Sequence, residues 1–142
     1  MIEKSDSVTR PERICVLVVE QEASICELLK LSLEENGFRV VLAGSGMEAT
    51  QLFASIQGEV DVVLLDWGMD RMSGSQTLDW LRQAKPGLPC CVMTGGGTSV
   101  EASNIAVLRK PFALDVVVHT LRMLCKGSEE GKESDPFTPG GG

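Results

Sequence analysis

Val62-Val63-Leu64-Leu65-Asp66-Trp67-Gly68-Met69-Asp70 is the stretch that decides the fold. Four apolar residues run without a break into an acid. So short an apolar run predicts a strand buried on both faces, as in a parallel sheet covered by helices. The acid at its carboxyl end then stands at the rim of the sheet, where open α/β folds place their ligands. Asp66 is therefore the first candidate functional residue.

Working outward, the same grammar repeats. Ile14-Cys15-Val16-Leu17-Val18-Val19 is an uninterrupted apolar run that ends in Glu20-Gln21-Glu22. Ser24 and Glu27 stand at capping-box spacing, ahead of a helix with Ile25, Leu28, Leu29 and Leu33 on one face. Asn36-Gly37 stops it, since both residues tolerate the left-handed cap. Phe38 to Leu42 predicts a second strand; Ser45 and Glu48 then open a helix bearing Ala49, Leu52, Phe53 and Ile56. After the central strand, Ser73 and Gln76 form a third capping pair before Leu78, Leu81 and Ala84. Pro89 to Met93 predicts a fourth strand stopping at Thr94, and Ile105 to Leu108 a fifth ending at Arg109-Lys110-Pro111. Between them, Gly95-Gly96-Gly97 is flexible and Ser99 to Asn104 has room for only a turn or two of helix. The last helix carries Leu114, Val117, Val118, Leu121, Leu124 and Cys125 on one face.

Strands and helices thus alternate five times, with no internal repeat. That order predicts an α/β domain with a parallel sheet, helices on both faces and right-handed crossovers. Five strands favour the flavodoxin-like three-layer arrangement, strand order 2-1-3-4-5, here with a short or irregular fourth helix. The expected organisation is a flexible arm over 1–12, one domain over 13–126 and a disordered tail over 127–142, whose Gly, Ser, Glu, Lys and Pro bury too little apolar surface to fold.

Composition narrows the function. The chain has 142 residues, 43% hydrophobic and 23% charged, which suits one soluble domain. A net charge of −7 argues against direct nucleic-acid binding, which needs Lys and Arg against phosphates. It favours a protein partner or a cation. No apolar run approaches the roughly 20 residues of a membrane span. The polar N-terminus has no apolar leader. The expectation is a cytoplasmic protein, or a piece cut from a longer one. Cys15, Cys26, Cys90, Cys91 and Cys125 form no C-x-x-C pair and lie in apolar stretches, so they are read as buried thiols. His119 is the only histidine and has no catalytic companion; it is read as a surface or half-buried helix residue.

The residues that follow the strands make a coherent chemical set. They are Glu20, Gln21 and Glu22 after the first, Asp66 after the third, Thr94 after the fourth and Lys110 after the fifth. All belong to the carboxyl edge of one sheet. Clustered carboxylates repel unless a cation is present, and a hard cation with oxygen ligands and waters suits Mg²⁺. A carboxylate can accept a phosphoryl group, whose spread charge a metal, a hydroxyl and an ammonium stabilise.

On these motifs the chain resembles the receiver domains of two-component response regulators, the chemotaxis regulator among them. The resemblance covers about residues 13–126. It rests on Val18-Val19-Glu20-Gln21-Glu22, on Asp66 to Gly74, on Thr94-Gly95 and on Lys110-Pro111-Phe112, each in order at a strand end. It implies that Asp66 is the phosphoacceptor and that Glu20, Gln21, Asp66 and the Gly68 backbone carbonyl hold Mg²⁺. It also implies that Thr94 moves its hydroxyl toward the phosphoryl group, that Gly95 leaves access to the site, and that Lys110 pairs with the phosphoryl oxygens. The bond before Pro111 is expected to be cis. A histidine kinase or histidine phosphotransfer protein is the implied donor; the downstream protein partner is open.

Three departures qualify the resemblance. The family's pair of acids is here Glu20-Gln21, and Gln21 brings a neutral amide where a carboxylate is usual. Glu22 and Asp70 are the nearby acids able to supply the missing charge, and Asp70 stands where the family usually has proline. The aromatic usually three residues before the lysine is Val107, so an aromatic rotamer swing is excluded. Fewer residues than usual separate Thr94 from Lys110. Two functions follow: a phosphoacceptor switch, or an atypical receiver that binds partners without phosphorylation. Neither is a metabolic enzyme. A HAD-like phosphatase would want a second Asp two residues after Asp66, where Gly68 stands.

Overall fold

The computed structural model describes residues 13–96, 100 and 105–134, with residues 127–134 described by their backbone alone. The elements follow in the order β1 (Cys15–Val19), α1 (Ala23–Glu35), β2 (Arg39–Ala43), α2 (Gly46–Ile56), β3 (Val62–Asp66), α3 (Gly74–Ala84), β4 (Cys90–Thr94), β5 (Ile105–Arg109) and α4 (Leu114–Ser134). The five strands form one parallel sheet in the order β2-β1-β3-β4-β5. The expected flavodoxin-like arrangement is therefore present.

Alternation along the strands builds two cores. Leu17, Val19, Val63, Leu65, Cys90 and Val92 face α2 and α3, where Ala49, Phe53, Leu78 and Leu81 meet them. Val16, Val18, Val62, Leu64, Cys91 and Met93 face the other way, onto Leu29 and Leu33 of α1 and Val117, Val118 and Leu121 of α4. The three central strands are buried along their whole length, which explains why their sequences are apolar at every position rather than at every second one. β2 and β5, at the edges, are only partly buried.

Several local details differ from expectation. α1 begins two residues early, with Glu22 rather than Ser24 at the N-cap and no side-chain cap bond. Its start is fixed instead by the Glu22 carbonyl, which accepts from Ile25 and Cys26. Ser45 caps α2 through the Glu48 amide, but the Glu48 carboxylate reaches Gly44 rather than closing the box on Ser45. The Ser73–Gln76 capping box is complete, with both reciprocal bonds made. α4 runs on to Ser134, across the expected boundary at Gly127. Among the described residues there is no helix between β4 and β5; the turn expected at Ser99 to Asn104, like the arm over 1–12, lies outside them. No described helix is long and apolar enough to cross a membrane.

Two glycines set how closely the layers approach the rim. A Cβ on Gly74 would lie 2.6 Å from Trp67 Cα and 2.9 Å from the Asp66 carbonyl oxygen. A Cβ on Gly46 would overlap Thr77 Oγ1 on α3. The missing side chains let the first turn of α3 press on the end of β3 and let α2 pack against α3.

Candidate functional site

The sheet brings the strand ends together in register. Val19 pairs with Leu65, so Glu20 follows β1 alongside Asp66 at the end of β3. Asp66 in turn pairs with Met93, next to Thr94, and Thr94 pairs with Arg109, next to Lys110. The Lys110 amide donates to the Thr94 carbonyl at 2.8 Å, and the Lys110–Pro111 bond is cis.

The charged groups converge on the lysine. Lys110 Nζ lies 3.5 Å from Glu20 Oε1 and 3.7 Å from Asp66 Oδ1. Glu20 is 0% exposed and Asp66 6%, so two carboxylates are nearly dry with one shared ammonium. Burial pushes the Glu20 carboxyl above its usual range; the Glu22 amide opposes this, the Asp66 charge adds to it and Lys110 opposes it. The Glu22 N–H donates to Glu20 Oε2 at 3.1 Å, and the Gly68 N–H donates to Asp66 Oδ1 at 3.1 Å. Thr94 is also buried, and its Oγ1 accepts from the Gly96 N–H at 3.2 Å.

Gln21 behaves differently from its neighbours. It is exposed, and its Oε1 accepts the Asp70 N–H at 3.0 Å. With Asp70, Arg71, Met72, Ser45, Gly46 and Met47 it lines a groove of about 540 Å³ beside the acids. Among the described residues no three His, Cys, Asp or Glu side chains cluster as a ready metal cage. What the rim offers is two hard carboxylates, the Gly68 backbone against one of them, and too little positive charge for both. That donor set fits a hard divalent cation keeping several of its waters.

Residues 16–122 match the sequence model of the response regulator receiver domain. The chain belongs to that family. The receiver is 33% identical over 131 residues to a protein named response regulator MprA from Mycobacterium sp. (strain KMS), covering 87% of this chain and 56% of that one. It is 32% identical over 119 residues to the probable transcriptional regulatory protein TcrX of Mycobacterium tuberculosis, covering 80% and 50%. The chain thus spans about half the length of the curated relatives it matches. Among solved structures it is similar to a response regulator receiver domain from Clostridium thermocellum, at 24% identity and a TM-score of 0.76, covering 82% of this chain and 97% of that one. Vibrio cholerae chemotaxis protein CheY4 matches at 25% identity and a TM-score of 0.71, covering 79% and 98%. A receiver of this family is a signalling domain of two-component systems rather than a metabolic enzyme.

Three features of the receiver's rim escape a reading of the sequence. Glu20 is long enough to reach Lys110 directly, which its residue type permits but spacing does not reveal. The Cys26 thiol donates to the Glu20 carbonyl at 3.1 Å, tying α1 to the end of β1. Arg71 stands at φ 60°, a left-handed turn with no glycine to announce it. Gly74 does leave a signal: a glycine in the first turn of a helix costs helix propensity, and the close approach of Trp67 explains it.

Proposed function

We propose that Asp66 accepts a phosphoryl group from a phosphohistidine of a histidine kinase or histidine phosphotransfer protein, and that the added charge changes what the domain binds. The observation that carries this reading is the shared ammonium: one lysine within 3.7 Å of a buried acceptor carboxylate and within 3.5 Å of a second acid. Asp66 Oδ1 faces Gly68 and Lys110, which leaves Oδ2 to attack phosphorus. The new bond is Asp66 Oδ2–P; the bond that breaks is P–N to the donor imidazole, which leaves with its electron pair and takes a proton.

Each residue of this chain has a part in that transfer. Lys110 shifts its ammonium from the carboxylates to the phosphoryl oxygens. Thr94, whose Oγ1 already accepts from Gly96, keeps its hydroxyl proton for a phosphoryl oxygen. Burial of Asp66 and Thr94 limits the water that would hydrolyse the acyl phosphate. Glu20, Asp66 and the Gly68 carbonyl would hold Mg²⁺, which neutralises the charge that Lys110 alone leaves in excess. The same residues carry out the domain's own dephosphorylation, with water replacing the imidazole. The switch operates without an aromatic relay, because Val107 stands on β5 at the place of that residue. The receiver works in the cytoplasm, and its output is a protein contact rather than direct binding of nucleic acid, in keeping with its charge of −7. The domain proposed to do this spans 13–126, extended by the C-terminal turns of α4.

Incubation with a small phosphodonor and millimolar Mg²⁺, followed by intact mass, tests the reading. One phosphoryl group is expected on the parent chain and none on Asp66→Asn. An unmodified parent would favour the phosphorylation-independent alternative.

A further inference from the structure

We propose that Gln21 is a positioning residue, a latch that holds the β3–α3 loop through the Asp70 backbone N–H, rather than a ligand of the metal. The bond joins residues 49 apart in sequence, at 3.0 Å, between two exposed side chains' loops, so burial does not force it. Its place is specific. On one side, the loop after β1 is anchored to Glu20 by the Glu22 N–H. On the other, the loop after β3 is anchored to Asp66 by the Gly68 N–H. Gln21 Oε1 bridges these two loops, and hence the supports of the two carboxylates.

The loop after β3 needs such a hold. Its ends are fixed: the Trp67 amide donates to the Met93 carbonyl at 2.8 Å, and the Gly74 amide to the Trp67 carbonyl at 3.3 Å. Its middle contains Arg71 at φ 60°, a conformation that costs a residue with a Cβ about 1–2 kcal/mol. The bond holds the Met69–Asp70 peptide, one residue before Arg71, and so fixes the chain as it enters that turn. It also fixes the run from Gly68 to Asp70 that carries the Gly68 carbonyl.

A neutral amide suits the task better than a carboxylate. Glu20 and Asp66 are both buried and already crowd one ammonium, at 3.5 and 3.7 Å. A third negative charge at 21 would add repulsion, whereas an amide oxygen accepts the N–H without it. The partner must be a residue with an N–H, so proline at 70 is incompatible with the latch and aspartate is not. The two departures at 21 and 70 are thus one feature.

The inference rests on the proposed magnesium-supported site for its metal arm alone. The test uses the full chain in a Trp80→Phe background, so that Trp67 emission reports Mg²⁺ binding, together with melting of the metal-free protein. Gln21→Met removes the acceptor, Asp70→Pro removes the donor, and Asp70→Asn keeps it. Each of the first two is expected to lower Tm by about 3–5 °C and to weaken Mg²⁺ binding by about 3- to 10-fold. The double variant is expected to lose no more than the worse single, and Asp70→Asn to change neither quantity. Weaker Mg²⁺ binding in Gln21→Met with none in Asp70→Pro would make Gln21 a metal ligand and overturn the latch. Additive singles overturn it too, as does an Asp70→Asn effect equal to that of Asp70→Pro. If Asp70→Pro does not fold, hydrogen exchange at the Asp70 amide decides: Gln21→Met must accelerate it, and an unchanged rate refutes the latch. If the parent binds no Mg²⁺, the metal reading fails while the melting cycle still judges the latch.

Discussion

Replacing Lys110 by methionine removes the ammonium shared by Glu20 and Asp66 while keeping most of the length of the side chain. At an effective dielectric of about 20, pairs at 3.5 and 3.7 Å are worth about 4.7 and 4.5 kcal/mol before solvent screening. The lysine is 28% exposed, so water already screens part of this. A net loss of about 2–4 kcal/mol at neutral pH is expected, near the range for breaking a buried pair from one side. The loss must depend on pH. Glu20's folded pKa lies above its unfolded one, so its contribution is fully present below the unfolded value and fades as pH rises through the folded value. Without Lys110 the folded value climbs further and the fade deepens. Urea unfolding at about pH 8 and about pH 4.5 measures both limits: a large gap between parent and variant at the higher pH, a small one at the lower. Mg²⁺ added at the higher pH should recover part of the loss. A gap under about 0.5 kcal/mol, or one equal at both pH values, would refute the argument that Lys110 compensates two buried charges.

Other outcomes follow from single contacts. Gly74→Ala forces a Cβ onto the Trp67 backbone and should cost about 1–3 kcal/mol in unfolding free energy, while Gly58→Ala, which meets nothing within 4 Å, should stay within about 0.5 kcal/mol of the parent. Ser73→Ala removes the acceptor of the complete capping box and should cost about 1 kcal/mol by the same measurement. Burial pushes the Cys91 thiol up to about 12 and raises Cys90 as well, so alkylation of the native protein should spare both and report Cys125 first.

The fold was legible because the central strands are buried on both faces. Val62 to Leu65 and Cys15 to Val19 had to be apolar throughout, and that pattern separates a covered parallel sheet from an amphipathic one. Asp66, Thr94 and Lys110 were legible as candidates because each breaks an apolar strand at the same edge. Helix starts were less so: Ser24 looked like a cap, yet the chain turns at Glu22, where the Glu20 side chain already holds the backbone. A side-chain bond between residues two apart, set by the buried Glu20, outweighs the capping signal of Ser24. The extension of α4 past Gly127 also escaped composition, which tells burial potential but not where a helix already under way stops. The Gln21–Asp70 bond lies beyond any sequence pattern, since it depends on the direction of one backbone N–H.

The most direct test of the central claim is chemical trapping of the modified residue. After treatment with a small phosphodonor and Mg²⁺, borohydride reduction converts an aspartyl phosphate to homoserine, and peptide sequencing locates it. Homoserine at position 66, and at no other acid, is the expected result. Homoserine at Asp70, or reduction products at Glu20 or Glu22 with none at 66, would contradict the assignment of Asp66 as acceptor.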